Sequence, residues 1–534
     1  MFDESLPTLD ELAGLSDADL AAAASTWAAA SAAAEARKLA VIAEMQGRAC
    51  AGEVHSRWVV DDLDAAAAAL SCALTISHGR ALGQIGIAVA LRDRLPKVRA
   101  RFLDGHISIA MISMIMARTY LVLDEVALAR IDSEIAERAA SWGPLSQFKL
   151  QQSIDLCIDR YDPDAVRRVR NSVRTRDFTV GQRDDATGTT SVFGRLSSTD
   201  AALLERRIST VIASVCEDDP RTLAQRRADA VGAIAAHSTR LTCRCDNDSC
   251  AARSDDGRAS SVVIHIIAEK DSLDAKQDRE LHGPGFDRPP TPAEGTEPAT
   301  AQRPRRKSAL MPGFRGAVVP APLLAELIAH GAKVRLVGSP TDDEDSYRPS
   351  TALQEFIRTR DLTCRFPGCD RPAVAADIDH TQPWPTGATH PSNLKIYCRL
   401  HHLIKTFWDG FDDRQDPDGT VVVTTPSGLC YATKPLCSLL FPQWDTATPA
   451  PPERQEAAPR YPGRQLRMPI RRRSREQNRL AGIAAERRLN AAQREVDAGK
   501  TAGIRIRSAD RSRSPYTFRS ADYVPDYGDD PPPF

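Results

Sequence analysis

Late in the sequence, four side chains suited to soft or borderline metal ions recur at short spacing. Cys364 and Cys369 have four residues between them, and Cys398 and His401 have two. Pairs at these spacings make a tight knuckle and a helix-turn pair, which together supply the donors of a tetrahedral zinc site. The 28 residues between the pairs are too polar to be held by a core of their own, so a metal staple is a reasonable way to close the loop. The competing reading is a set of reduced thiols and an imidazole with no metal. If they bind metal, the fold around residues 364–401 has to bring both pairs into one small volume.

The same stretch carries a second set of reactive side chains. Asp379 and His380 precede Asn393, and His402 directly follows His401. Hydrolysis of a phosphodiester needs a base to deprotonate water, a divalent cation to offset charge on the phosphate and leaving oxygen, and a group that fixes the base. His380 suits the base, because an imidazole titrates near neutral pH. Asp379 and His402 suit the cation, and Asn393 suits the orienting role through a hydrogen bond in the loop. Adjacent histidines on a helix diverge by about 100°, so one can turn to zinc and the other to the active site. A zinc-stabilised module that binds DNA without cutting it would carry the same residues, and spacing does not separate the two.

The words Arg365-Phe-Pro-Gly-Cys-Asp-Arg-Pro, Asp377-Ile-Asp-His-Thr, Thr389-His-Pro-Ser-Asn-Leu-Lys and His401-His-Leu-Ile-Lys-Thr-Phe-Trp408 resemble the HNH endonuclease motif in its zinc-stapled form, as found in the 13E12 repeat family. The motif covers residues 355–410, and the wider resemblance most of 20–440. In that family a helical domain of unknown function precedes the nuclease module. The resemblance implies a ββα-metal fold with His380 as general base, Asp379 and His402 on the catalytic cation, and Asn393 as the central residue. It also implies structural Zn²⁺ on Cys364, Cys369, Cys398 and His401, where many relatives use four cysteines. DNA is the implied partner, Mg²⁺ or another divalent cation the implied catalytic cofactor, and 5′-phosphate and 3′-hydroxyl ends the implied products. The first strand is expected over Val374–Asp379, the second over Leu394–Tyr397 and the helix over Cys398–Phe407. On that helix Arg399 and Lys405 are expected either to touch the DNA backbone or to be plain solvated charge.

Composition excludes several other classes. Lys+Arg is 70 and Asp+Glu 71 in 534 residues, so a uniformly basic nucleic-acid coat is ruled out and contacts must come from local patches. The longest apolar runs, such as Ile107–Ala117, are too short to span a bilayer. Met1-Phe2-Asp3-Glu4-Ser5 carries acid where a secretory signal needs basic charge. A cytoplasmic location without membrane contact is therefore the expectation, with the 12 cysteines as reduced thiols or metal ligands.

The expected fold class is a mainly α N-terminal domain with a small β element, then a small α+β ββα-metal (HNH) domain, then a disordered Arg-rich tail. Residues 1–268 form the helical domain, and its function is open; an oligomerisation scaffold is one candidate. Ala-rich and periodic segments predict helices over Leu9–Arg48, Asp61–Leu74, Ile85–Leu95, Ile107–Leu121, Glu125–Ala140 and Leu145–Arg160. Breakers at Pro96, Gly105, Gly143-Pro144 and Asp162-Pro163 divide them, and Asp17, Ser108, Ser146 and Asp164 are candidate N-caps. A hairpin is predicted around residues 178–193, helices over Thr199–Val215 and Thr222–Ser238, and a buried strand over Ser260–Ala268. Residues 269–310 read as a Pro/Gly-rich linker and 311–350 as a connecting segment with a helix over Leu323–His330. Residues 351–440 are the HNH unit, ending in a supporting hairpin after Gly419. Residues 441–534 are the basic, largely disordered tail, with a charged helix over Gln477–Ala498.

Three weaker signals remain. Cys243, Cys245 and Cys250 lie within eight residues, and with His237 they make a second candidate metal cluster; free thiols in a loop are the plainer reading. Gly105-His-Ile-Ser joins two helical runs as a helix-turn-helix would, although Ile107, Met111 and Ile115 are more simply core. Residues 464–479 hold seven Arg against one acid, which suits either phosphate gripping or a solubilising tail.

Overall fold

The structure is a computed structural model. It describes residues 7–52, 55–139, 142, 145–166, 177–184, 189–253, 266–276, 309–311, 317–329, 332–452 and 464–508. The chain begins with α1 (Asp17–Ala49), α2 (Asp62–Leu74), α3 (His78–Asp93), α4 (Pro96–Leu103), α5 (Ile109–Thr119), α6 (Glu125–Ala139) and α7 (Gln147–Tyr161). The hairpin β1 (Asp177–Asp184) and β2 (Thr189–Arg195) follows, then α8 (Ser198–Ile212) and α9 (Leu223–Ala235). After these come β3 (Ala309–Met311), β4 (Ala317–Val319), α10 (Ala321–Ala329) and α11 (Thr351–Asp361). The last group is β5 (Asp377–His380), β6 (Leu394–Tyr397), α12 (Arg399–Phe407), β7 (Asp412–Gln415), β8 (Val421–Thr424), β9 (Cys430–Thr433), α13 (Leu436–Leu440) and α14 (Arg475–Ser508). The fold is mainly helical with small antiparallel sheets, and among the described residues no helix is long and apolar enough to cross a membrane.

Two compact units emerge, and neither is continuous in sequence. The first gathers residues 1–38, 90–168 and 473–534; the second gathers 39–89 and 169–472. In the first, α4, α5, α6 and α7 bury Val98, Phe102, Ile112, Ile115, Ile131, Ile135, Ile154 and Ile158. The helix α4 was hidden because Pro96 reads as a breaker. It is instead the first residue of the helix, where a missing N–H costs nothing. Ser108 and Ser146 cap α5 and α7 as expected. Asp17 does not cap α1: Ser16 accepts from Asp19 N, and Asp17 is already helical. Asp164 sits inside a short 3₁₀ turn. Gly105 takes φ +80 between α4 and α5, and a Cβ there would meet Ala29 O at 2.6 Å. That turn serves helix packing, with Ile107 and Ile115 buried.

In the tail the charged helix expected over Gln477–Ala498 is present and longer than expected, and the stretch before it is structured too. Residues 464–508 are ordered as a 3₁₀ turn and α14, while 453–463 and 509–534 lie outside the described residues. Composition misses this because the tail's partners are distant in sequence. Arg487 forms a paired ion bridge to Asp162, at 2.7 and 3.0 Å. Asn490 Nδ2 donates to Asp164 O and Val166 O. The Arg-rich stretch is likewise partly spent inside the protein, since Arg471 bridges Asp61 and Asp64 and donates to Val59 O.

In the second unit, the Asp61 carboxylate starts α2 by a reciprocal capping box with Asp64. The buried α2 residues Ala65, Ala68 and Cys72 join Val60 in one apolar core with Cys364, Phe366, Tyr397, Cys398, Ile404, Phe411, Val421 and Val423. Segment 58–78, which the sequence assigns to the helical half, is thus packed against the Cys/His region. The first strand is shorter than expected. Residues 373–375 form a 3₁₀ turn, held by Arg358 donating to the carbonyls of Ala373 and Ala376. The antiparallel pair β5–β6 puts Asp379 opposite Lys395 and His380 opposite Leu394. The supporting hairpin is three-stranded, in order β7–β8–β9; β7 (Asp-Asp-Arg-Gln) has no apolar alternation to reveal it. Of the expected strand over 260–268, residues 260–265 lie outside the described residues, as do 277–308 of the linker and the terminal stretch 526–534.

Candidate functional site

The foundation is a buried ionic triad that the sequence reading missed. Asp361 accepts from Arg360 Nε at 2.8 Å, from Arg365 Nη1 at 3.0 Å and from Ile396 N at 2.9 Å. Arg360 also donates to Pro391 O and Leu394 O. The end of α11 is thereby tied to β6 and to the loop before it. Burial opposes ionisation of Asp361, but the two guanidinium groups outweigh it and hold the carboxyl below its ordinary value.

On this foundation Cys364, Cys369, Cys398 and His401 converge, with their ligand atoms within 4.8 Å of one another. His401 Nδ1 lies 3.4 Å from Cys364 Sγ and 3.3 Å from Cys398 Sγ. The His401 ring is stacked on Phe366, with centroids 4.0 Å apart. Gly368 turns the knuckle at φ +75, where a Cβ would meet Ile76 O at 2.2 Å. Hydrogen bonds from Cys364 and Cys369 hold the Cys398 thiol far below its usual range, while burial pushes Cys364 well above it. Three thiols and an imidazole in so small a volume suit a cation that neutralises them together, and the donor set is one zinc accepts.

His402, one residue on, faces the other way. Its Nδ1 is 2.9 Å from Asp377 Oδ2 and its Nε2 is 3.3 Å from Asp379 Oδ1. The second oxygen of Asp379 accepts from Lys395 Nζ at 3.0 Å and Lys405 Nζ at 2.9 Å. Burial works against the charge of Asp379, but Lys395, Lys405 and His402 keep it ionised, far below the ordinary carboxylate range. Lys405 also donates to His380 O, so it is neither solvated nor placed to touch a DNA backbone. The helix α12 is one-sided here: its Lys405 face points into the β5–β6 pair, whereas Arg399 is exposed, 3.5 Å from Asp377. Sequence spacing shows neither direction.

His380 Nε2 is 2.9 Å from Thr389 Oγ1. The single hydroxyl proton of Thr389 is given to Ser346 O at 2.6 Å. The imidazole must therefore donate through Nε2–H, which leaves Nδ1 as the lone-pair nitrogen. Tyr347 stacks on the ring at 5.4 Å. Burial, aided by Lys405, Lys395 and His402 and opposed by Asp379, brings the His380 pKa down to about 4, so the ring is neutral at pH 7. Asn393 does not touch His380. Its Oδ1 accepts from Gln382 N, and its Nδ2 donates to Gln382 O and Ala388 O, which pins loop 381–393 instead. Sequence reasoning gave no role to Thr389, Tyr347, Lys395 or Asp377, although Asp377, Thr389 and Lys395 all lay in the quoted motifs; only Tyr347 lay outside them.

The profile of a family described as a domain of unknown function, DUF222, matches residues 26–361, more than half the chain. The chain belongs to the DUF222 family. The match stops three residues before Cys364, at the Asp361 of the buried triad. Two proteins of Mycobacterium tuberculosis (strain ATCC 25618 / H37Rv) resemble this DUF222 protein over nearly its whole length. Uncharacterized protein Rv2100 is 49% identical over 507 residues, covering 92% of this chain and 91% of its own. Uncharacterized protein Rv3776 is 47% identical over 490 residues, covering 91% and 93%. No solved structure matches.

Proposed function

We propose that this DUF222 protein is a metal-dependent endonuclease of the HNH type that hydrolyses DNA phosphodiester bonds. The observation that carries the reading is the approach of Asp379 Oδ1 and His402 Nε2 to 3.3 Å, next to an imidazole fixed in one tautomer. Those two atoms would hold a divalent cation such as Mg²⁺, which supplies charge stabilisation at the phosphate. His380 Nδ1 takes the proton of the attacking water, and Thr389 keeps the ring from turning. Lys395 and Lys405 fix Asp379 so that Oδ1, not Oδ2, faces His402. Cleavage leaves a 5′-phosphate and a 3′-hydroxyl. Cys364, Cys369, Cys398 and His401 would hold structural Zn²⁺ and so carry α12 against β5–β6.

A second reading, a zinc-stabilised module that binds DNA without cutting, is favoured by the same two lysines. Their buried ammonium charges lie at one oxygen of the proposed cation ligand and work against cation binding. Nicking of supercoiled plasmid decides between them. With Mg²⁺ or Mn²⁺ the wild type converts plasmid to open circles. His380→Ala lowers the rate by about 10²–10⁴, the usual weight of a general base, while Arg335→Ala on the outer surface leaves it unchanged. Absence of cleavage with every divalent cation, together with retained DNA binding, would establish the second reading.

A further inference from the structure

We infer that Cys216, Cys243, Cys245 and Cys250 form a second, purely structural zinc site that fastens α8 and α9 to the loop beyond them. The four Sγ atoms lie within 4.8 Å of one another, and Cys216 and Cys243 are 3.4 Å apart. Four thiolates about 2.3 Å from a zinc ion stand about 3.8 Å apart at the corners of a tetrahedron. The fourth ligand is not His237, which ends α9 at φ 61 and is outside the cluster. It is Cys216, just past α8 and 27 residues from Cys243, too distant in sequence for spacing to suggest it.

The surrounding backbone is built to deliver these thiols. Asp219 is buried and accepts from Arg221 N, Arg221 Nε and Arg244 N. Arg221 in turn donates to Thr242 O. Segments 219–221 and 242–244 are thus locked side by side, which carries Cys216 to Cys243. Across the knuckle Cys243 N donates to Ala252 O, and Cys250 N donates to Asn247 O, closing the turn that presents Cys245 and Cys250.

The helices need such a clamp. Among the described residues their shared core is small: Ile208, Val211, Ala230 and Leu241 are buried, with Leu204, Ile212, Val215, Ala233 and Ile234 partly buried against them, while Leu203 and Leu223 are exposed. So small a core supplies little stability by itself. Four thiolates with no carboxylate select zinc over magnesium or calcium and leave no open position for substrate, so the site is structural.

Metal analysis of the purified full-length protein tests this independently of any nuclease activity. Two zinc ions per wild-type chain are expected, with Cys216→Ser and Cys364→Ser each removing one. Cys216→His, which keeps four ligands, should retain both and guards against loss through misfolding. Chelation in Cys364→Ser should then release the remaining zinc and open residues 197–253 to proteolysis. One zinc per chain, lost in Cys364→Ser and unaffected by Cys216→Ser, would overturn the inference, as would iron in place of zinc or a Cys216–Cys243 disulfide in the isolated protein. One zinc that follows Cys216 and ignores Cys364 would uphold this site and refute the other.

Discussion

At the scale of single residues, Asp361 has more depending on it than any proposed ligand. It is fully buried between two buried guanidinium groups and also accepts from the backbone of β6. Asp361→Asn leaves Arg360 and Arg365 with uncompensated charge and should cost about 3–5 kcal/mol in denaturant unfolding. The pH dependence has a definite sign. The folded carboxyl has a lowered pKa, so between the folded value and about 3.9 the unfolded chain binds more protons. Its stabilisation is complete above that range and is lost as pH falls through the folded value. The gap between the stability profiles of wild type and Asp361→Asn, measured from pH 6 down to pH 3, should narrow as pH falls below about 3.9. Parallel curves would show that Asp361 is not ionised in the native state.

At the scale of elements, the Gly368 knuckle gives the clearest prediction. Its φ of +75 favours glycine, and a Cβ would strike the carbonyl of Ile76. Gly368→Ala should destabilise the protein by at least about 1–2 kcal/mol, the usual cost of a left-handed residue, and should lower zinc retention in metal analysis. Elements defined by local rules were legible beforehand. Ser108 and Ser146 cap their helices, β6 spans Leu394–Tyr397 as read, and α12 begins at Arg399 after Cys398. What was illegible depends on long-range partners. Lys405 looks like surface charge until β5 is packed beneath it, and the Arg-rich stretch looks like a solvated tail until Asp61 and Asp64 are placed beside Arg471. In the candidate site the residue types could be read, but not the hydrogen bond of Thr389 that selects the tautomer. Nor could the involvement of Cys216 be seen, because α9 and its flanking loops separate it from its partners.

At the scale of the whole molecule, sequence order and spatial order differ. Residues 39–89 share a compact unit with 169–472, although nearly 80 residues of the other unit intervene. Val60, Ala65, Ala68 and Cys72 cover the apolar side of the Cys364–Cys398 region, and Ser71 Oγ donates to Pro367 O in the knuckle. A fragment of residues 351–452 should therefore expose that side, and should show weak protection in hydrogen exchange and poor solubility. Adding a segment spanning 55–89 in trans should restore protection. If the fragment is fully protected on its own, the packing of α2 is dispensable. The consequence reaches to how such a module could be moved by recombination. A gene segment cut out at the cysteines and transplanted elsewhere would leave behind one wall of its own chamber, so the half that resembles a portable cassette is anchored to its host by a piece of chain encoded some three hundred codons upstream.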